Sequence, residues 1–291
     1  MILTKPDSHK STDFGLVLST HLCLGLSVNV LGKPLDMRLG ELSHPRDMIS
    51  AEVRKVYLEL SRHLRSFGVK RCLLPKVNEL NAVFGGIESH VFDLEFSTSG
   101  SVPVYKNNNS IDAFTLPAGY SCLMRSADCP TLILFNEENQ IVVVAHCSRD
   151  SLICRQELLN GVKDRQHFSV IQPTVNVFKK LGVPADDIHA HISCGIAGEY
   201  FRHKPDDRQY GKYNRALSSL IANLYGAKCF HGPPQDGCIK LHEVIRAQLS
   251  IYGISNVTHD QLDTFSDQRL HSNRAGGIGR NGVLVINNMA R

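Results

Sequence analysis

The sequence has no tryptophan, only 7% aromatic residues, and no block of five or more like charges. Its lysines and arginines are scattered along the chain, and the net charge of the 291 residues is +4. A nucleic-acid-binding groove is typically a basic stripe with aromatic side chains interleaved along it. We therefore expect no nucleic-acid partner.

Long hydrophobic runs are also missing. The longest apolar runs are much shorter than the ~20 residues that span a bilayer, and the opening residues MILTKPDSHKSTDFG are too polar for a signal peptide. Nine cysteines occur without regular spacing. We therefore expect a protein of the reducing cytoplasm, with no membrane partner and with free thiols that mostly pack as small core side chains.

Three common sequence motifs are absent. There is no Walker-type phosphate loop and no C-x-x-C pair, which excludes zinc ribbons and thioredoxin-like redox chemistry. The glycine-rich segment RAGGIGRNG, residues 274–282, precedes an apolar strand-like run instead of opening a helix. It therefore does not fit the dinucleotide-binding motif.

Apolar spacing of three or four residues predicts helices over 45–68, 172–182, 214–226 and 238–253, each followed or closed by a glycine. Alternating or continuous apolar runs between them predict strands, including residues 14–32 and the tail NGVLVINN. We expect a polar segment over residues 1–13 and a single α/β or α+β domain over 14–291. Its central mixed sheet is expected to be covered by helices.

Two apolar runs in the middle of the chain, TLILF and IVVVA, flank the polar turn NEENQ and predict an antiparallel hairpin. Cys129 precedes the first run and His146 follows the second, so both lie at the hairpin end opposite the turn, within about 5 Å of each other. Such a pair can bind one zinc ion, or the imidazole can activate the thiol as a nucleophile. A buried cysteine beside a satisfied histidine, without function, is the third interpretation.

The segment SADCPTLILFNEENQIVVVAH resembles the centre of the YfiH family, also called the multicopper polyphenol oxidase or laccase-like domain family. The family has an A-D-C segment, a hairpin and then an A-H segment. The lead-in IDAFTLPAGYSCLMRSADC and the C-terminal HSNRAGGIGRNG are similar to further family motifs, and weaker matches extend the resemblance from about residue 25 onward. It implies the YfiH-like fold, which is similar to that of cysteine-dependent bacterial toxin domains.

The resemblance implies one catalytic zinc ion per chain, bound by Cys129, His146 and an upstream histidine. The segment ESHVFDLEF fits the position of that histidine best and indicates His90, whereas an alternative alignment places Asn78, a poor ligand, there. A His/Cys/His set leaves the fourth tetrahedral position for water, as in catalytic zinc sites. Zinc lowers the pKa of such a water to about 7.

The resemblance also implies purine nucleosides as substrates, through deamination, through phosphorolysis with phosphate as the second substrate, or both. Arg274 and Arg280 are candidates to hold phosphate, because the planar guanidinium group binds oxyanions bidentately. Ser272, His271 and Asp128 are further candidate substrate-binding residues in the same motifs. We expect a monomer or a homodimer.

The sequence departs from the family directly after His146. There the family's A-G-W-R-G is replaced by CSRDS, with Arg149 displaced by one position. The family's GPsIg turn becomes SCGIAG, and Ala275 replaces the second arginine of the C-terminal motif. These changes fall on groups that shape a substrate pocket, and they bear on the substrate more than on the zinc.

Two other functions remain open at this point. One is a cysteine hydrolase or deamidase with Cys129 as the nucleophile and His146 as the base. The other is a non-catalytic ligand-binding protein on the same scaffold. Copper oxidation of phenols, which the laccase label implies, needs several copper centres, and a single three-ligand site does not supply them.

Overall fold

The computed structural model of the protein describes residues 2–4, 15–33, 35–37, 51–77, 92–107, 111–155, 158 and 169–289. The described chain is built from β-strands and helices in mixed order. The strands are β1 (Ile2–Thr4), β2 (Leu16–Cys23), β3 (Leu26–Leu31), β4 (Arg71–Leu74), β5 (Phe92–Phe96), β6 (Val104–Asn107), β7 (Ala113–Thr115), β8 (Tyr120–Ser126), β9 (Thr131–Asn136), β10 (Ile141–His146), β11 (His189–Ser193), β12 (Asn256–His259) and β13 (Asn281–Asn287). The helices are α1 (Ala51–Ser66), α2 (Arg149–Leu152), α3 (Ile171–Lys180), α4 (Gly211–Tyr225) and α5 (Leu241–Ile251).

The strands form two mixed sheets. The larger sheet has the order β1-β2-β3-β13-β8-β4-β6-β5, and the smaller has the order β12-β11-β9-β10-β7. In the larger sheet β4 runs parallel to β6 and β8, and in the smaller sheet β11 runs parallel to β12. The mixed α/β class is confirmed, but the strands divide between two sheets instead of forming one central sheet.

The two sheets face each other across a shared apolar core. Val283 and Val285 of β13 belong to the same buried cluster as Ile133 and Phe135 of β9. The intervening residues, Leu284 on β13 and Leu134 on β9, point to the outer faces of the sheets, because successive side chains in a strand alternate between the two faces. The inner faces therefore hold the two sheets together.

The outer face of each sheet is covered by helices. Leu284 and Ile286 of β13 pack with Tyr57 of α1, whereas Leu132 and Leu134 of β9 pack with the cluster that includes α3, α4 and α5. Both faces of the central strands are thus buried, which explains why their sequences are continuously apolar. The resulting order of layers is α1, larger sheet, smaller sheet, remaining helices.

The predicted hairpin is confirmed as β9 and β10. Thr131 pairs with His146 at one end and Asn136 pairs with Ile141 at the other, with the turn over residues 137–140. The central position of this pair in the smaller sheet, between β11 and β7, fixes its register from both sides.

The four predicted helices are also confirmed, as α1, α3, α4 and α5, although residues 45–50 of the first prediction lie outside the described residues. Gly182 and Gly226 follow α3 and α4 with φ angles of 72° and 87°, which a residue with a Cβ rarely adopts. Glycine therefore ends these helices for the conformational reason that the sequence indicates.

The N-terminal boundary differs from the expectation. The sequence predicts a polar segment over residues 1–13 outside the domain, whereas Ile2–Thr4 form β1 and pair antiparallel with β2 at the edge of the larger sheet. Within the described part of the chain, no helix has both the length and the apolar character needed to cross a membrane.

Candidate active site

The hairpin brings Cys129 and His146 together at one end of the smaller sheet. Cys129 lies two residues before β9, and His146 is the last residue of β10. Beyond the strand ends, the Cys147 N–H donates to the Pro130 carbonyl over 2.8 Å, so the pairing continues next to the two side chains. His146 is buried and Cys129 is half-buried. The thiol therefore lies at the boundary between the core and the surface.

Asp112 is the second neighbour of His146. Its Oδ1 lies 3.4 Å from Nδ1 of the imidazole, and its backbone carbonyl accepts the His146 N–H over 2.7 Å. Burial opposes protonation of this imidazole, but hydrogen bonds and negative charge from Asp112 and Cys129 outweigh it and raise the pKa of His146 to about 10. The environment of the imidazole therefore favours a positive charge.

All nine cysteines are free thiols, and six of them are buried. Cys129 is one of the three half-buried ones, with Cys23 and Cys238. Burial raises the pKa of Cys122, Cys147 and Cys194 well above the usual value, so these buried thiols are unreactive near neutral pH.

Asp128 connects the Cys129 segment to the C-terminal loop. Its Oδ1 accepts hydrogen bonds from the hydroxyls of Thr264, over 2.8 Å, and Ser272, over 2.7 Å. Its Oδ2 accepts the Arg274 N–H over 3.0 Å. The predicted substrate-binding residues Asp128 and Ser272 are thus bonded to each other, and they position the loop that carries Arg274.

His271 and Arg280 lie on either side of Arg274 in the same loop and make contacts away from it. The His271 Nε2 lies 2.8 Å from the Leu35 carbonyl, and its ring packs against Gly279. The Arg280 guanidinium donates to the carbonyls of Ile278 and Gly279 over 3.3 Å each. These two predicted substrate-binding residues do not line the cavity that Arg274 lines.

A cavity of about 520 Å³ opens beside Arg274 and is rich in cationic side chains. Arg149 forms one wall: it makes two hydrogen bonds to the Asp150 carboxylate, over 2.7 and 2.8 Å, and lies 5.0 Å from the centre of the Tyr213 ring. The Tyr213 hydroxyl donates to the same carboxylate over 2.7 Å. The lining residues are Arg149, Asp150, Arg155, Arg202, His203, Lys204, Asp207, Tyr210, Asn214 and Arg274.

The cavity adjoins the Cys129 segment. Burial opposes the charge of Arg149, but the hydrogen bond and charge of Asp150 and, more weakly, the charge of Cys129 hold its pKa above the usual value. Burial lowers the pKa of Arg274, and the negative charges of Asp128 and Cys129 partly counter that effect. Both arginines therefore lie within electrostatic reach of the thiol.

Two of the three predicted zinc ligands, Cys129 and His146, are brought together, and the third, His90, lies outside the described residues, as does Asn78. Within the part of the chain that the structure describes, no group of three His, Cys, Asp or Glu residues could hold a metal ion. The three-ligand set thus stays a prediction.

Fold and geometry define a mixed α/β protein in which a thiol and an imidazole meet at one end of a hairpin, beside a cationic cavity. A family model described as multi-copper polyphenol oxidoreductase laccase matches residues 88–288, which is more than half of the chain. The chain belongs to this laccase-like family, and the resemblance to YfiH proteins is confirmed.

Solved structures share the fold at low sequence identity. The Bacillus licheniformis hypothetical protein YfiH is 14% identical with a TM-score of 0.64, and the match covers 94% of this chain and 96% of that one. The Neisseria meningitidis protein NMB0706, of family DUF152, is 15% identical with a TM-score of 0.63, covering 94% and 99%. YlmD from Geobacillus stearothermophilus is 14% identical with a TM-score of 0.60, covering 90% and 92%. No curated protein matches the chain. The low identities to these solved structures make it a divergent member of its family.

Proposed function

We propose that this protein is a zinc-dependent enzyme that acts on purine nucleosides or related nucleosides, by phosphorolysis, by deamination, or by both. The observation that carries the proposal is the juxtaposition of Cys129 and His146 next to a cavity lined by Arg149 and Arg274. It combines a pair of metal-binding side chains with cations suited to phosphate.

The donor groups fit zinc. Zinc prefers thiolate and imidazole ligands, and the metal-ligating histidine commonly has its other ring nitrogen held by a carboxylate. Asp112 lies against Nδ1 of His146 in this way, so that Nε2 is the ring nitrogen available to a metal ion. When bound, zinc supplies a Lewis acid that ionises water near neutral pH. His90 remains the proposed third ligand.

The protein's own side chains have separate roles in this proposal. Asp112 fixes the orientation of His146, and Asp128 holds the loop that carries Arg274 close to Cys129. Arg149 and Arg274 bind a phosphate group, because a guanidinium fork matches the geometry of a phosphate oxyanion. Arg280 bonds its own loop and takes no part in this arrangement.

The experiment combines metal analysis with a substrate assay. Purified protein and a Cys129→Ala variant are assayed for zinc, then incubated with adenosine and inosine, with and without phosphate, and the products are read by mass spectrometry. We expect about one zinc per chain, lost in the variant together with turnover, while a Cys238→Ala control keeps both. Protein without zinc, or zinc protein that converts no nucleoside, contradicts the proposal.

A second function is favoured by the contact between His146 and Cys129. In a cysteine hydrolase or deamidase, Cys129 would be the nucleophile and His146 its base, with Asp112 orienting the imidazole. Iodoacetamide distinguishes the two functions. A metal-free active protein that loses activity when Cys129 is alkylated supports the hydrolase, whereas activity that is lost with zinc removal and restored by zinc supports the nucleoside enzyme.

A further inference from the structure

The cavity beside Arg274 carries more positive charge than its own carboxylates neutralise. Among the described residues, its lining includes five arginine or lysine side chains and two carboxylates, Asp150 and Asp207. Asp150 is fully engaged by Arg149 and Tyr213, and the Asp207 Oδ1 accepts the N–H groups of Gln209 and Tyr210, over 2.9 and 2.7 Å. Across the described chain, the remaining cations of the lining form no ion pair with a carboxylate: Arg155, Arg202, Lys204 and Arg274.

His203 adds an unpartnered donor to this lining. It is 5% exposed, and the Arg149 guanidinium donates to its Nδ1 over 3.2 Å. Since an arginine only donates, Nδ1 is the acceptor and the ring proton is on Nε2. Burial, followed by the charges of Arg149 and Arg274, lowers the pKa of His203 to about 3, so the ring is neutral. Nε2 is buried and has no hydrogen-bond partner among the described residues.

Aromatic rings hold several of the cations in place before any ligand arrives. Arg149 and Arg155 lie 5.0 and 5.1 Å from the centre of the Tyr213 ring, and Arg274 lies 5.0 Å from the centre of the Phe201 ring. Such contacts restrict the guanidinium groups while leaving their N–H donors available. These arginine side chains therefore lose less conformational freedom when an anion binds.

The size of the cavity favours a ligand larger than an isolated ion. Its volume of about 520 Å³ lies in the range of sites for whole small molecules, roughly 300–1,000 Å³. A single inorganic phosphate leaves most of such a volume to solvent. We propose that this cavity binds a phosphate group carried by the substrate itself, so that the substrate class is a nucleoside monophosphate. That the monophosphate is a substrate rests on the proposed function. That it binds in this cavity does not.

The test compares ligands by titration calorimetry on the full chain. Adenosine 5′-monophosphate, adenosine and inorganic phosphate are the three probes. We expect the monophosphate to bind at least about tenfold more tightly than either of the others, because charge-assisted hydrogen bonds to the phosphate add to the contacts of the nucleoside. Equal affinity for adenosine and its monophosphate overturns the proposal, and so does inorganic phosphate that binds as tightly as the ester.

Substitutions in the cavity lining test whether the tighter binding of the monophosphate arises there. Lys204→Gln and Arg155→Gln are each expected to weaken monophosphate binding about tenfold and to leave adenosine binding unchanged. Lys212→Gln removes the same charge from the exposed side of α4, outside the cavity lining, and is expected to change neither. Thermal unfolding checks that each variant is folded. Loss of both affinities in a folded variant, or an equal loss in the control, overturns the proposal.

The two proposals fail in different ways. A zinc-containing protein that converts adenosine without preferring its monophosphate refutes the phosphate-ester assignment and leaves the nucleoside enzyme intact. A protein that prefers the monophosphate but holds no zinc refutes the zinc enzyme and keeps the assignment of the cavity.

Discussion

The Asp112 carboxylate lies 3.4 Å from Nδ1 of His146, and both side chains are buried at the end of the smaller sheet. The relationship is created by the β7–β10 ladder, in which Ala113 pairs with Ala145, so that the preceding aspartate lies beside the following histidine. The sheet itself therefore positions the imidazole.

Asp112→Asn tests this positioning role. The amide keeps the shape of the carboxylate but loses its charge, and loss of such a partner typically weakens metal affinity or activity about 10- to 100-fold. We expect a loss of this size in zinc affinity, measured by competition with a chelator. Asp186→Asn, at an exposed position, is the matched control. Unchanged zinc affinity in Asp112→Asn contradicts the role.

The pH dependence of the chelator-treated protein follows from His146. Its pKa in the folded protein, about 10, is above the usual 6.5, so the protonated imidazole contributes stability below pH 6.5 that is lost as the pH rises through about 10. We expect the free energy of unfolding to fall between about pH 7 and 10, measured by urea titration. His146→Asn is expected to flatten this slope, and an unchanged slope argues against the assignment.

Zinc affinity is expected to change with pH in the opposite direction. A proton on His146 competes with the metal for the same imidazole, so raising the pH toward 10 strengthens zinc binding as the proton is released. Competition with a chelator of known pH dependence measures the effect. Zinc affinity that stays constant across this range would show that His146 is not a ligand.

Asp128→Asn tests how the C-terminal loop is held. The carboxylate accepts hydrogen bonds from Thr264, Ser272 and the Arg274 N–H, and an amide has one acceptor oxygen instead of two. We expect a loss of about 1–3 kcal/mol in the free energy of unfolding. Thr264→Val removes a single donor and is expected to cost less. An equal or larger effect of Thr264→Val would contradict the central position of Asp128.

Leu134→Ala tests the buried hairpin. Leu134 on β9 is fully buried against the helix-covered face of the smaller sheet, and large-to-small core changes cost about 2–5 kcal/mol. Leu24→Ala is the control, because Leu24 is 95% exposed and its truncation is expected to cost within about 0.5 kcal/mol. Urea unfolding of both variants measures the difference, and similar costs would contradict the burial of β9.

The four helices could be predicted because their apolar periodicity is local, and the hairpin because two apolar runs flank a short polar turn. The division into two sheets could not, since strands buried on both faces have continuous apolar runs that do not indicate which neighbours they pair with. The pairing of Ile2–Thr4 with β2 is missed for a similar reason, because three residues are too short for a periodic signal.

The candidate site also contains residues that the sequence could place and residues that only the fold brings in. Cys129 and His146 could be placed together from the hairpin alone, whereas Asp112 depends on β7 pairing with β10. The lead-in segment IDAFTLP contains it, but only its match to a family motif draws attention to that aspartate. Arg149 was visible as a displaced arginine. Its contact with His203, 54 residues away, has no local signal and is set by the packing of the loop before α4.

The strand pair that carries Cys129 and His146 has neighbours in every direction: β11 and β7 at its edges, the larger sheet on one side and helices on the other. Amide hydrogens in such strands exchange with deuterium only on the slowest, global opening of a protein. The residues beyond the ends of these two strands lie outside the ladder, and segments outside a sheet tolerate replacement better than its central strands. The sequence around Cys129 and His146 can therefore change, as the replacement of A-G-W-R-G by CSRDS illustrates. The β9–β10 pair keeps the thiol and the imidazole at the same distance.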